Sequence, residues 1–381
     1  MKYYIIAGEA SGDLHGSNLM KGLKQADPDA DFRFWGGDLM QAQGGTLVKH
    51  YKETAIMGFI EVVKKLSTVT KNLRFCKNDI LSYNPDVVIL IDYPGFNFRI
   101  AKFAHQHGLK TFYYIAPKVW AWKEKRVKRL QQYVDKLFII FPFEIAYFKK
   151  WGIDAYYQGN PLVDSIAEHA ANKSTFEAYV AKNNLPNKPV VALLAGSRKQ
   201  EVAYIVPRIK KLVEEFPEHQ LVLAAAPSLD EAFYSQYISP SDNIAVVYGQ
   251  TYDTLLQADA AIVASGTATL ETALLNIPQA VCYGGNELSY QIAKRLVKGK
   301  YISLVNIIMD KPVVKELIQH DMSIDKMKAE LRLLLFDQNY RYAQLNSYQQ
   351  LRGMLGEPGS SKRVAEAMVQ VLRKMNETTN Q

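Results

Sequence analysis

Cysteine is scarce in this sequence: Cys76 and Cys282 are the only two in 381 residues. Two cysteines cannot build a disulfide framework, and no second Cys or His stands at ligand spacing beside either one. No metal site is expected from them, and each reads as a small buried apolar residue in a reducing compartment. Long apolar runs are also missing. Nowhere do 18 apolar residues follow one another, so no membrane-spanning helix is expected. The run Tyr3–Ala7 meets Gly8-Glu9 at once, without the apolar core or cleavage site of a signal peptide. These absences predict a cytoplasmic protein, which still leaves room for one that lies on a membrane surface.

Negative charge is short in one half only. Residues 1–163 hold 23 Lys and Arg against 15 Asp and Glu, whereas residues 164–381 hold 23 of each, so the whole net charge of +8 sits in the first half. A one-sided basic field points to an anionic partner: a phosphorylated substrate, an anionic lipid surface or nucleic acid. A merely solubilising surface gives the same count. The 48% hydrophobic and 22% charged fractions are those of an ordinary globular chain, and the length suits two domains.

The first half alternates apolar strands (Lys2–Ala7, Phe32–Trp35, Asp86–Ile91, Lys110–Ile115, Lys136–Phe141) with amphipathic helices (Asp13–Gln25, Ile56–Leu81, Phe98–His107, Glu144–Trp151). Continuous apolar strands between helices indicate a parallel sheet covered on both faces. Residues 159–189 read as an interdomain connection, after which the pattern repeats. Strands are expected at Pro189–Leu194, Gln220–Ala225, Ile244–Tyr248, Ala258–Val263 and Gln279–Tyr283, and helices at Lys199–Phe216 and Thr267–Leu275. The tail from about Ile324 reads as helical throughout. The expected fold is α/β, two Rossmann-like domains with parallel sheets facing a central cleft and a helical C-terminal tail. Residues 1–165 would form the first domain and 166–350 the second, with the helix 351–381 packing back toward the first. Ligands bind beyond the strand carboxyl ends in such sheets, so residues just after strands carry the interest.

Two segments of the second half fit a nucleotide diphosphate. Gly196-Ser197-Arg198 follows a strand and opens a helix, with Ser197 and Gln200 in a capping-box pattern. Free backbone N–H groups there attract phosphate, and Arg198 adds a guanidinium fork. Ser265, Gly266, Thr267 and Thr269 again sit between strand and helix, and Glu271 in the first turn can accept hydrogen bonds from a ribose diol. A plain helix cap and a carboxylate complementing the helix dipole are the competing readings.

In the first half, the loop Gly8–Asp13 opens a helix but is not G-x-G-x-x-G. Its carboxylates Glu9 and Asp13 argue against a pyrophosphate; with Ser11 it suits an acceptor pocket instead. Asp92 ends an apolar strand, where a carboxylate is costly unless a ligand or catalysis uses it. Otherwise it caps the helix after Pro94 or pairs with Arg99. Trp120 and Trp122 are interleaved with Lys118, Lys123, Lys125, Arg126, Lys128 and Arg129, which fits an interfacial site or an anionic, greasy substrate. The run is too short and too isolated for a nucleic-acid module, so no nucleic-acid partner is expected. The segment Ile56–Leu66 could face acyl chains or be a core helix. The acidic turn Asp27–Asp31 lacks the central Gly and terminal Glu of a calcium loop and lies at the wrong sheet edge.

Taken in order, these motifs resemble the lipid-A-disaccharide synthase family over nearly the whole chain. The matching segments are GEASGD (8–13), the DxPxFN pattern (92–97), VWAW (119–122) with KRV (125–127), and PFE (142–144). They continue with GSR (196–198) and Glu201, SGTATLE (265–271), AKRLVK (293–298) with Tyr301, Ser303 and Asn306, and VKELIQ (314–319). Ala195, Ala116, Lys118 and Val305 depart from the family pattern without removing a charged group. The resemblance implies a glycosyltransferase fold of the B type and transfer from UDP-2,3-diacylglucosamine to 2,3-diacylglucosamine 1-phosphate (lipid X), inverting the anomeric carbon. It implies no cofactor and no metal, Asp92 as base with Arg198 assisting the leaving group, and UDP bound by the second-half residues together with Asn306. The acceptor would meet Glu9, Ser11, Asp13, Asn97, Trp120, Trp122, Lys123 and Arg126. A peripheral place on the inner membrane's cytoplasmic face is expected, and a homo-oligomer is compatible with the sequence. The rivals are another UDP-sugar enzyme of this fold, such as an N-acetylglucosaminyl transferase or 2-epimerase, or a binding protein without turnover.

Overall fold

The computed structural model describes residues 1–54, 66–120, 124–285 and 299–379. They form two compact units, Met1–Pro161 with Gly356–Gln381, and Leu162–Leu355. In the first unit seven parallel strands lie in the order β3-β2-β1-β4-β5-β6-β7: β1 Lys2–Ala7, β2 Asp31–Gly36, β3 Thr46–His50, β4 Val87–Ile91, β5 Thr111–Tyr114, β6 Lys136–Ile139 and β7 Ala155–Tyr157.

The central strands are apolar on both faces because both faces are covered. Tyr3, Ile5, Val87, Ile89 and Phe112 join Val364, Met368 and Leu372 of the C-terminal helix Ser360–Thr379 in one core. Tyr4, Ile6, Val88, Leu90 and Tyr113 join Phe98 and Ile100 of the helix Pro94–Gln106 in another. The C-terminal helix lies against the helix Ala10–Ala26, and Gly22 permits the approach: a Cβ there would stand 2.8 Å from Ala365 Cβ. Each buried Leu, Val or Met of that contact contributes roughly 1.5–3 kcal/mol.

The second unit has six parallel strands in the order β10-β9-β8-β11-β12-β13: β8 Val190–Leu194, β9 Gln220–Ala225, β10 Ile244–Tyr248, β11 Ala258–Ala264, β12 Gln279–Tyr283 and β13 Lys315–Ile318. Helices Lys199–Ile209 and Ile324–Phe336 bury Val202, Ile205, Val206, Met327, Leu331 and Leu334 against one face of it.

Several elements differ from the sequence reading. Strands β3, β7 and β13 were not foreseen; all three are edge strands with mostly half-buried residues, so they lack the continuous apolar run that marks a central strand. Residues 159–189 are not a bare connection. They hold helices Pro161–Ala171 and Phe176–Lys182, and the buried Tyr179 hydroxyl bonds Thr254 Oγ1 at 2.8 Å within the second unit. The expected helix Lys199–Phe216 is α-helical only to Ile209 and continues as a 3-10 turn, Lys210–Glu215, just after Pro207. Proline offers no N–H to the helical ladder and crowds the Ala203 carbonyl four residues back, which weakens the last α-helical turn rather than the 3-10 turn beyond it. The helical tail is three helices, Ile324–Phe336, Gln338–Leu355 and Ser360–Thr379, the last two separated by a break at Gly356–Gly359, where both glycines have positive φ.

Each sheet has one point where the strand order reverses, between β1 and β4 in the first unit and between β8 and β11 in the second. A doubly wound sheet opens its ligand crevice at that point, beyond the carboxyl ends of the two strands.

Candidate active-site residues at two strand ends

In the first unit Ala7 pairs with Ile91, so the loops that follow, Gly8–Asp13 and Asp92–Asn97, emerge side by side. The backbone there is strained. Asp92 (φ 42°) and Tyr93 (φ 47°) are left-handed, and so is Ile115 (φ 60°), which follows the neighbouring strand β5. Non-glycine residues held this way cost about 1–3 kcal/mol each and persist only where the surroundings over-determine them. The surroundings do so here. Asp92 N–H donates to Tyr114 O at 3.1 Å, and Ile115 N–H to Phe138 O at 3.0 Å. The Asp92 carbonyl accepts from the Tyr113 hydroxyl at 2.6 Å and from Asn97 Nδ2 at 2.8 Å. Gly8 completes the arrangement, because a Cβ there would stand 2.3 Å from the Tyr93 ring.

Asp92 itself is half-buried. Burial pushes its carboxyl up to about 6, and the neighbouring Glu9 carboxylate adds to the rise; Lys118 and the Tyr93 N–H pull the other way. Neither structural alternative for Asp92 is formed. The helix Pro94–Gln106 has no side-chain cap, and Arg99 Nη1 donates to Gly95 O at 3.1 Å instead of pairing with Asp92. Glu9 and Ser11 are exposed on the same rim.

Asp13 is different. It is 3% exposed, and its carboxylate accepts from the backbone N–H groups of Gly37, Leu39 and Met40 at 2.8, 3.1 and 3.0 Å. It braces the turn after β2, so any effect on a ligand passes through that turn. Asn97 is likewise fully buried, with Nδ2 spent on the carbonyls of Ile91 and Asp92. His15 has a buried Nδ1 that meets no partner among the described residues, and burial lowers its imidazole to about 4, so it is neutral at pH 7.

Trp120 donates its Nε1–H to Glu144 Oε1 at 3.0 Å and stands edge-on to Phe143. Glu144 is 1% exposed; burial pushes it up to about 7, against bonds from Trp120 and the Phe141 N–H. Arg126 is half-exposed at the start of the helix Val127–Tyr133. Trp122, Lys123, most of the Ile56–Leu66 segment and the AKRLVK segment (293–298) lie outside the described residues.

In the second unit Leu194 pairs with Val263, which sets the loops 195–198 and 264–267 beside each other. Gly196 is left-handed (φ 96°), and a Cβ on it would stand 2.6 Å from Glu201 Oε2. Arg198, not Ser197, is the residue that precedes the helix, and Glu201 reaches back to its N–H at 3.4 Å. Its guanidinium pairs with Glu201 at 2.8 Å while 81% exposed. Such a pair is worth roughly 0–1 kcal/mol, so re-aiming Arg198 at a phosphate costs little. Ser197, Gly266 and Thr267 are exposed at the two helix starts.

The Thr269 hydroxyl is spent on Gly266 O at 2.8 Å, and that of Ser265 on Ile302 O at 2.9 Å. Glu271 accepts from the Tyr252 hydroxyl at 2.7 Å; burial raises its carboxyl and this bond lowers it. Asn306 is 1% exposed and bonds Val314 O, Val314 N–H and Glu316 Oε1, each at 2.9 Å. Glu316 also holds the N–H groups of Ile302 and Ser303. Asn306 therefore braces the segment that holds Ser265, with both Nδ2 hydrogens spent within the unit and one bond accepted by Oδ1.

Sequence reasoning passed over Tyr252, Tyr93, Tyr113 and Glu144. The first three act through contacts distant in sequence and leave no local signal. Glu144 lies in the first turn of the helix Phe143–Lys149, five residues past β6, so the strand-end rule that singled out Asp92 does not reach it; its burial shows only in the fold.

Comparison with known proteins bears on the family and the fold. The family model for lipid-A-disaccharide synthetase matches residues 3–371. The lipid-A-disaccharide synthase of Geobacter metallireducens is 37% identical over 375 residues, 97% of each chain. That of Syntrophus aciditrophicus is 36% identical over 376 residues, again 97% of each. Among solved structures, the UDP-GlcNAc 2-epimerase from Neisseria meningitidis bound to UDP-GlcNAc superposes with a TM-score of 0.70 at 12% identity, covering 97% of this chain and 100% of that one. A spinosyn rhamnosyltransferase gives 0.58 at 12% identity, covering 98% and 100%. These two likenesses show the fold, the two-sheet glycosyltransferase architecture of the B type. With a matching model over nearly its whole length and relatives above 30% identity, this chain belongs to the lipid-A-disaccharide synthase family, whose members are glycosyltransferases.

Proposed function

We propose that the chain joins UDP-2,3-diacylglucosamine to 2,3-diacylglucosamine 1-phosphate, giving the β-1′,6-linked disaccharide 1-phosphate and UDP. The first unit takes the acceptor and supplies the base; the second holds the donor through UDP. Asp92 removes the proton from the acceptor 6-hydroxyl as that oxygen forms a bond to the donor's anomeric carbon. The bond from that carbon to the UDP phosphate oxygen breaks, and the centre inverts. Arg198 and the helix start at Gly266-Thr267 take up the charge on departing UDP, while Glu271 receives the ribose. Ser197 and Ser265 line the diphosphate loops, Thr269 and Asn306 hold them in shape, and Asp13 and Asn97 do the same for the acceptor side. Glu9, Ser11, Trp120 and Arg126 face the acceptor. The basic first unit rests against an anionic bilayer at the cytoplasmic face of the inner membrane; among the described residues no helix is long and apolar enough to cross one.

One observation carries this reading: Asp92 is a strand-end carboxylate on strained backbone, among the described residues neither a cap nor half of an ion pair, with its carboxyl pushed up to about 6. A base poised near the working pH is what alkoxide-forming transfer needs. The test is UDP release with and without acylated acceptor, in wild type and in Asp92→Asn. The variant is expected to lose about 10²–10⁴-fold in kcat while UDP affinity holds. Near-normal kcat removes Asp92 from the role and turns attention to Glu9 and His15. UDP release that does not depend on the acceptor overturns the transfer reaction.

A further inference from the structure

A cavity of about 280 Å³ opens in the first unit immediately after Asp92. Its apolar wall is Tyr93, Phe96 and Phe98; its charged wall is Arg99, Arg126 and Arg129. Three guanidinium groups from two separate parts of the chain, the helix Pro94–Gln106 and the segment Glu124–Tyr133, converge on it. Burial disfavours the charge of Arg126, and the nearby Arg129 guanidinium acts in the same direction. Among the described residues neither Arg99 nor Arg129 forms an ion pair; Arg129 lies 6.0 Å from the Phe98 ring centroid. Converging cations that repel one another, with no carboxylate on two of them, favour an anion. The volume is below that of pockets that enclose a drug-sized ligand, so it fits a headgroup and not a diacylated sugar. The Tyr113 phenol links the cavity to the base: its hydroxyl donates to Asp92 O at 2.6 Å, and it lies in the fields of both the Asp92 carboxylate and the Arg126 guanidinium.

We propose that Arg99 and Arg129, with Arg126, form a subsite for the phosphate monoester of the acceptor, and that this contact selects a sugar phosphate and sets its free hydroxyl toward Asp92. This rests on the reading of the first unit as the acceptor side. A planar guanidinium gives two parallel bonds to phosphate oxygens, whereas the aromatic wall covers the apolar face of the sugar.

The experiment compares 2,3-diacylglucosamine 1-phosphate with the same acceptor lacking the phosphate. Wild type should favour the phosphorylated acceptor in kcat/KM, and Arg99→Gln/Arg129→Gln should lose about 10–100-fold of that preference, through acceptor KM, with donor KM unchanged. UDP affinity and melting temperature report whether the double variant is folded. If it is not, Arg99→Lys and Arg129→Lys, which keep charge but lose the fork, should each show a smaller loss of the same preference. An undiminished preference overturns the proposal. So does a variant that stops floating with phosphatidylglycerol vesicles while its acceptor preference stays intact, since the cavity would then take bilayer headgroups. Titration of wild type and variant with inorganic phosphate reads the cavity without turnover: weaker binding by the variant supports the subsite, and equal binding overturns it. If wild type transfers to neither acceptor, the proposed reaction fails, and the phosphate titration still decides the subsite.

Discussion

The two units solve one topological problem with opposite materials. Both are doubly wound parallel sheets, and both place their candidate residues where the strand order reverses. In the second unit the strand ends are softened by Gly196 and Gly266 and by hydroxyl side chains, and helix starts lie open at the surface. In the first, the turn after β4 is made by Asp92 and Tyr93 in left-handed backbone, as is Ile115 after the neighbouring β5, with Asp92 in a partly desolvated place. A diphosphate needs backbone N–H groups brought close, which small residues allow. A base needs a carboxylate kept partly from water, which larger neighbours and burial provide. The charge follows the same division, with the net excess of +8 contained in residues 1–163.

The sharpest way to break this comparison is pH. With its folded carboxyl raised to about 6, Asp92 is protonated below that value and competent as a base above it. Wild-type kcat should therefore fall as pH drops through about 6, and a flat profile between pH 5 and 7 would remove the contrast. The sign for stability is opposite. A raised carboxyl binds its proton more tightly in the folded state, so its ionisation destabilises the fold as pH rises from about 4 to about 6. Asp92→Asn should then be as stable as wild type at pH 7 or more so, by at most on the order of 1–3 kcal/mol, read from thermal melts. A less stable variant would mean that the carboxylate holds the fold.

The next largest effect is expected in the donor unit. Arg198→Ala and Glu271→Ala should each weaken UDP binding by about tenfold, the scale of one lost charge-assisted hydrogen bond, without moving acceptor KM. Calorimetric titration with UDP checks it, and unchanged affinity in both puts the nucleotide elsewhere. Tyr252→Phe sharpens the same point. Its hydroxyl lowers the Glu271 carboxyl, so its loss should raise that carboxyl further, destabilise the unit by about 1–3 kcal/mol and weaken UDP binding more at pH 6 than at pH 8.

A smaller, opposite pair of effects separates the strained turn from the glycine turn. Ile115→Gly should relieve the left-handed strain but lose the packing of a buried side chain, leaving stability within about 1 kcal/mol of wild type. Gly196→Ala adds strain at φ 96° and a contact with Glu201, so it should cost about 1–3 kcal/mol. Chemical denaturation of both measures the difference; a Gly196→Ala variant as stable as wild type would show that the second unit's turn does not need glycine. Smallest is the membrane term: flotation with anionic vesicles should weaken as salt rises, and equal partition onto neutral vesicles would count against an electrostatic attachment.

Much of this was legible in the sequence. The apolar runs at 87–91 and 190–194 are entirely buried central strands, and such runs announce themselves because both faces must be apolar. The loops after them, at Asp92 and Gly196, follow from the same rule. The edge strands β3, β7 and β13 were not legible, because an edge strand can be short and mixed in character. Nor was the division of labour among polar residues. Asp13 and Asn306 carry the same motif signal as Glu9 and Glu271, yet they are buried and bonded to backbone groups and, for Asn306, to Glu316.

Local sequence by itself determined the fold class, the sidedness of the charge and the strand-end positions, since periodicity, composition and turn chemistry act over a few residues. Only the tertiary structure decided which polar groups stay available. That depends on partners brought together from distant parts of the chain: Tyr252 with Glu271, Tyr113 with Asp92, and Arg99 with Arg129 around one cavity. Hydrogen-bonding capacity and desolvation are set by neighbours in space, and a sequence states those only after it has folded.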